Sequence, residues 1–348
     1  MIEPAHRPVS GRIVVAALAA ALAACGPAGS AGSAGSAATA PTVADDAAGV
    51  VPRPLVLDVD GRWIGSGVCY GPHRDGQRPG GPAPTDAELA EDLALMAPRW
   101  HLLRIYGADD PAERLLGLIH REHLPFKILL GAWIAPEVGA DGGPGAIANR
   151  AQIASAIALA RAYPDVVAAI VVGNETQVSW SDHRVDLDVL IGHVRAARAG
   201  STVPVTVADD YAFWLGDDAA RLVRELDFIT LHVHPMWNGQ LLDRALPFTQ
   251  ETYAAVVARY PDRTVLLGET GWATRRHTEG DQGTLIKGPA DEASQQIFFD
   301  RFNAWTVGAR IPSTYFEAFD ENWKGGAHPD EVEKHWGRFR ADRTAKGR

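Results

Sequence analysis

Two glutamates stand where apolar strands run out. Val171-Val172-Gly173-Asn174-Glu175 carries a buried type of strand straight into a polar pair, and Leu266-Leu267-Gly268-Glu269-Thr270-Gly271-Trp272 repeats the design. One such glutamate would read as an exposed charge that merely ends a strand. Two of them, about three repeats of ~31 residues apart, fit the unit length of a ~250-residue barrel and fall on its catalytic face. Two carboxyls on one cleft can divide the work of breaking an acetal. One stays protonated to help the leaving oxygen depart, and the other stays ionised to attack or stabilise the sugar cation. Asn174, beside Glu175, offers an amide that can hydrogen-bond a sugar 2-hydroxyl, a contact that strengthens in the transition state.

Elements able to position such a pair recur along the chain. Short runs rich in β-branched residues predict strands at Trp63–Tyr70, Leu102–Gly107, Phe126–Ala132, Val166–Asn174, Val203–Ala208, Phe228–Val233, Thr264–Gly268 and Ser313–Phe319. Between them, Ala/Leu-rich segments predict helices at Asp86–Met96, Pro111–Glu122, Ala148–Tyr163, Leu187–Arg198, Tyr253–Tyr260 and Glu292–Val307. Most strands are apolar at nearly every position, as expected when both faces are buried. Alternating β and α units mean a parallel sheet, and eight strands favour closure into a single (β/α)8 TIM barrel. An open doubly wound sheet would normally carry a Gly-rich phosphate turn after its first strand. Gly71-Pro72-His73-Arg74-Asp75-Gly76 lacks it. Counting strands puts Glu175 at the end of the fourth and Glu269 at the end of the seventh.

The chain has 348 residues, with 33 Lys plus Arg against 43 Asp plus Glu, a net charge of -10. That surface repels phosphate backbones, so nucleic acid is not an expected partner. Arg7 and Arg12 precede an uncharged apolar run from Ile13 to Ala24, the length of a signal-peptide core and too short to span a ~30 Å hydrocarbon layer. Leu22-Ala23-Ala24-Cys25 closes it and resembles the lipobox of bacterial lipoproteins, which implies a signal peptide over 1–24 and diacylation of Cys25. Two acyl chains give stable anchoring, and Gly26 after the cysteine favours the outer membrane by the same resemblance. Residues 25–51, mostly Ala, Gly, Ser, Pro and Thr, predict a flexible linker. The catalytic domain is then 52–348, expected to be monomeric and to touch the membrane only through its anchor. Cys69 reads as a buried small hydrophobe, and the basic tail Arg338 to Arg348 as a frayed, solvated end.

Tyr70, Tyr106, Trp133, Trp237, Trp272 and Trp323 fall at or just past strand ends, where aromatic faces could serve as sugar platforms. His232 and His234 share one face of a strand. Inward polar packing is expected of them rather than a metal site, with His234 near enough to the cleft to bond a sugar hydroxyl. Asp209 and Asp210 end the fifth strand, in the site or as caps.

Glutamates on strands four and seven, with an asparagine before the first, form the pattern of the clan A glycosidases. Within it the chain resembles glycoside hydrolase family 17, the β-1,3-glucanases and related transglycosylases. The matching segments are Gly67-Val68-Cys69-Tyr70-Gly71, Leu103-Arg104-Ile105-Tyr106-Gly107, Gly173-Asn174-Glu175, His232-Val233-His234-Pro235-Met236-Trp237, Gly268 to Trp272, and Tyr315 to Lys324. The resemblance implies Glu175 as acid/base and Glu269 as nucleophile, with retention and no cofactor or metal. It implies that Glu321, Lys324 and Glu333 are an auxiliary charged set that positions and tunes the pair. Ala273-Thr274 replaces the Pro-Ser of the plant enzymes, and Arg275 to Gly288 reads as a polar loop. These departures bear on subsites rather than chemistry. The expected activity is hydrolysis of a β-glucan oligo- or polysaccharide. Glucanosyl transfer through the same intermediate, or a non-catalytic glycan-binding lipoprotein, are the alternatives.

Overall fold

The computed structural model describes residues 49–139 and 141–347. Cys25, the signal peptide and the linker up to residue 48 lie outside the described residues. Eight parallel strands close a barrel: β1 Ser66–Cys69, β2 Leu102–Ile105, β3 Lys127–Ala132, β4 Val167–Asn174, β5 Val205–Asp210, β6 Ile229–His232, β7 Val265–Glu269 and β8 Ser313–Tyr315. Each falls within or beside its predicted run, and β8 pairs with both β7 and β1 to complete the ring. Close packing inside is purchased with small residues. A methyl on Gly268 would stand 2.2 Å from Thr230 Cγ2, so only glycine fits there. A short hairpin, Asp58–Val59 with Arg62–Trp63, closes the far end of the barrel, where Leu57 and Ile64 pack with Leu102, Leu129, Phe228 and Leu266.

The helical layer begins with Asp86–Met96, set by a capping box. Glu88 N–H donates to Thr85 Oγ1, and Thr85 N–H donates to Glu88 Oε2. Three helical expectations needed revision, the first being that the helix expected at Ala148–Tyr163 spans Gly143–Ala162. The helix expected at Tyr253–Tyr260 runs from Leu242 to Arg259 and holds Pro247 inside it. Proline lacks the N–H that an interior position uses, so the first turns carry a residue that local propensity sets against a helix. The polar stretch after β7 contains a short helix, Gly280–Leu285. Among the described residues, no helix is long and apolar enough to cross a membrane.

The tail is not frayed. Phe339 bridges in parallel to Phe319 and antiparallel to Ala345, so residues 338–346 fold back as a hairpin beside the extension of β8. Arg343 places two guanidinium bonds of 2.8 Å on buried Asp92, and Lys346 Nζ lies 2.7 Å from Asp320 Oδ1. These cations satisfy buried carboxylates far away in sequence, which a local reading of a basic run cannot reveal. Arg343→Ala should lower folding stability by about 3 kcal/mol, because it strips a bidentate partner from a buried carboxylate. Urea unfolding measures it; a loss inside the ~0.5 kcal/mol typical of surface changes would mean the tail carries little.

Candidate active site

The ends of β4 and β7 bend to bring their glutamates together. Register between β4 and β5 shifts between Val171 and Asn174, and both Gly173 and Glu175 adopt positive φ, 75° and 50°. Glu175 is thus held in a left-handed conformation, costing about 1–2 kcal/mol, and Glu175 N–H donates to Ala208 O at 2.9 Å. The β6–β7 pairing also shifts, between Leu231 and His232, which sets His232 opposite Glu269. Such irregularities at a barrel rim re-aim side chains.

A carboxylate oxygen of Glu175, one of Glu269 and a ring nitrogen of His232 all lie within 4.8 Å of one another. The two glutamates differ in surroundings. Glu269 is nearly enclosed: its Oε1 accepts from Arg104 Nη1 at 2.6 Å and Tyr106 Oη at 2.9 Å, and its Oε2 lies 3.2 Å from His234 Nε2. Burial alone would raise its pKa, but His232, Arg104 and His234 outweigh it and hold the carboxyl well below the usual range. Glu175 is more open, with its side chain 23% exposed against 7% for Glu269, and its Oε1 lies 2.9 Å from His232 Nδ1. Burial lowers the pKa of His232, against the opposing pull of the Glu269 and Glu175 carboxyls. Burial also opposes charge on His234, yet the hydrogen bond and charge of Glu269 raise it. The trio has the spacing of metal ligands, but Arg104 already supplies the cation that Glu269 faces.

The cavity holding the pair has a volume of about 660 Å³. Tyr70, Tyr106, Trp133, Asn174, Trp323, Lys324, Glu321 and Glu333 all line it, beside Phe316 and His183. Asn174 Oδ1 accepts from Arg104 Nη2 at 2.6 Å, leaving its amide N–H groups for a ligand. Tyr70 forms floor rather than platform, fully buried with its hydroxyl on Asp92 at 3.0 Å. Trp237 connects through Glu333, donating from Nε1 to Oε1 at 3.1 Å. Trp272 is a correction: it is fully buried, bonds Pro289 O and packs on Phe298 of the helix Glu292–Gly308, so it faces the helical layer.

On the β8 side, Lys324 Nζ lies 2.6 Å from Glu317 Oε2 and 2.7 Å from Glu321 Oε2. Burial pushes Glu317 well up, whereas on Glu321 the Lys324 ammonium overcomes burial and pushes it down. One ammonium thus stands between two carboxyls whose pKa values are pushed apart. Gly71 makes room for this group, since a methyl there would sit 2.3 Å from Glu321 Oε1. Asp209 and Asp210 brace rather than face the cleft: Asp209 accepts from Gln177 N–H, and Asp210 caps the short helix Tyr211–Trp214. Cys69 is buried, its thiol pushed up to about 11 by that burial, which removes it as a nucleophile.

Sequence reasoning did not single out Arg104, although a lone charge inside the apolar run Leu102–Ile105 was the available signal. It also treated His232 as packing, whereas its ring spans both glutamates. Glu317 was hidden by its place within an aromatic segment.

Residues 67–337 match the BtgE/BtgC glycoside hydrolase domain. The chain belongs to that family. A glucan 1,3-beta-glucosidase of Schizosaccharomyces pombe is 30% identical over 278 residues, 75% of this chain and 80% of that protein. A glucan 1,3-beta-glucosidase of Arthroderma benhamiae is 26% identical, covering 78% and 86%. Among solved structures, an endo-laminarinase from Formosa Hel1_33_131 superposes with a TM-score of 0.69 at 25% identity, over 80% of this chain and 85% of that one. The fold is shared with a family 17 β-1,3-glucanosyltransferase from Rhizomucor miehei, with a TM-score of 0.63 at 23% identity, over 80% and 94%. The family match ends at Gly337, just before the C-terminal hairpin.

Proposed function

We propose that this BtgE/BtgC family member cleaves β-1,3-glucan with retention, by double displacement on Glu175 and Glu269. The observation that carries the reading is the carboxylate approach within 4.8 Å. Retaining pairs stand ~5–5.5 Å apart, whereas inverting pairs need ~6.5–9.5 Å to admit a water. The unequal environments support the division of labour. Glu269, clasped by Arg104 and Tyr106, is the anion that attacks the anomeric carbon as Glu175 passes its proton to the departing oxygen. A glycosyl ester forms on Glu269. Glu175, now ionised, takes a proton from the incoming hydroxyl, and the ester opens with a second inversion. Asn174, its Oδ1 held by Arg104, keeps its amide N–H groups for a sugar 2-hydroxyl, and Tyr106, Trp133 and Trp323 line the cavity as candidate ring faces. The linkage is inferred from the named relatives, two glucan 1,3-beta-glucosidases and an endo-laminarinase. A mutant of the Rhizomucor miehei enzyme has been seen in complex with laminaritriose.

Water or a sugar hydroxyl can open the same ester, so hydrolysis and transfer share every step but the last. Incubation with laminari-oligosaccharides separates them: products longer than the substrate demand transfer, and shorter products with no longer ones mean hydrolysis. Absence of both on β-1,3-glucans would remove the reading.

The same proposal includes export and tethering through a diacylated Cys25, supported by the Ile13–Ala24 run and Leu22–Cys25. Cells fed radiolabelled palmitate should label the wild-type chain and not Cys25→Ser. Equal labelling would exclude this cysteine as the anchor.

A further inference from the structure

Trp323 stands between two hollows. It lines the cavity that holds Glu175 and Glu269, and it also lines a second depression of about 330 Å³ with Asp75, Gln77, Arg78 and Asn322. Its ring is fixed on several sides. Nε1 donates to Glu321 Oε1 at 2.9 Å, His73 packs edge-on at 5.7 Å, and Lys324 Nζ lies 5.9 Å from the ring centroid. The indole is nevertheless 40% exposed. A fixed, partly exposed indole is a preformed apolar platform that loses little entropy on binding.

The second hollow supplies the complementary polar groups. Asn322 Nδ2 donates to Asp75 Oδ1 at 2.7 Å, which orients both side chains. Gln77 is pinned between Arg74 N–H and Glu88 Oε2. Arg78 has no ion-pair partner among the described residues and is exposed. A carboxylate, two amides and a guanidinium around an aromatic edge suit a neutral, many-hydroxyl ring. A bound phosphate would meet the Asp75 carboxylate, so an anion fits the hollow poorly.

We propose that this depression is a distal sugar subsite, in which a glucan chain leaving the catalytic cavity passes Trp323 and seats a further glucosyl unit against Asp75, Arg78 and Asn322. The inference rests on the glucan reading above and extends it, making chain length a determinant of turnover and favouring long chains over short ones.

The test measures kcat/KM for laminari-oligosaccharides of increasing length, for the wild type, Arg78→Ala and the double variant Asp75→Ala/Asn322→Ala. All three positions are exposed, so folding should be unaffected. Wild-type kcat/KM should step up at the length that first reaches the hollow. In both variants that step should shrink about fivefold to tenfold, through KM, while values on the shortest cleaved oligosaccharide stay within about twofold. A length profile that superposes on the wild type, an equal loss at every length, or a wild type with no step would overturn the subsite. A wild type inactive at every length would instead remove the glucan reading, and the subsite with it.

Discussion

Glu269→Ala should lose at least ~10²-fold in kcat on laminari-oligosaccharides, the scale on which removal of a covalent or acid–base catalyst is felt. The variant also leaves the buried Arg104 guanidinium without its carboxylate, although Gly268 O and Asn174 Oδ1 still accept from it, so folding is checked beside the rate. Small anions should discriminate. With Glu269 reduced to a methyl, azide can enter from the vacated side and attack an activated β-glucosyl donor once, giving an α-glucosyl azide. Glu175→Ala should behave oppositely. Its attack on an activated aryl glycoside needs no acid, so the first step survives, and azide then opens the ester to a β-glucosyl azide. Product anomers read by NMR separate the two roles. Activity above ~1% for Glu269→Ala without added anion would argue against its assignment.

Arg104→Met should be the next most damaging substitution, with kcat/KM near neutral pH falling about 10²-fold. Arg104 is buried and its fork reaches both Glu269 Oε1 and Asn174 Oδ1, each at 2.6 Å. Without it, the buried carboxylate loses its permanent counter-charge, a loss worth ~3–5 kcal/mol for a broken buried pair. Protonation would relieve the penalty, and a protonated carboxyl is a poor nucleophile. The sign follows directly. Glu269 is held below the usual range in the wild type, so it stays ionised well into acid. Removing the cation raises that pKa, so the acidic limb of the kcat/KM profile should move to higher pH. Arg104→Lys keeps the charge without the fork and should restore part of the limb but less of the rate. A large rate loss with an unmoved limb would mean that Arg104 acts only on shape.

The barrel was legible because buried parallel strands write themselves as short apolar runs, and all eight recur at or beside their predicted positions. Glu175 and Glu269 were legible because each follows such a run directly. What escaped depends on partners distant in sequence. Arg343 and Lys346 look like solvent-facing charges until Asp92 and Asp320 are seen beneath them. Trp272 sits beside a catalytic residue, yet its direction is decided by Pro289 and Phe298, which no local pattern specifies. His232 could be placed on an inward face by alternation alone. That its two ring nitrogens would face two carboxylates, one at 2.9 Å and the other at 3.5 Å, follows only from the register shift at Leu231. The helix expected from Tyr253 instead begins at Leu242 and runs through Pro247, an interior proline that a local pattern counts against a helix.

Double displacement requires that Glu269 become esterified to the sugar. An activated 2-deoxy-2-fluoro-β-laminaribioside slows the opening of such an ester more than its formation, so the intermediate should accumulate. Proteolysis and mass spectrometry of the inactivated protein should then find the sugar on the peptide that carries Glu269 and on no other. A label on Glu175, or on any other residue, would contradict the account.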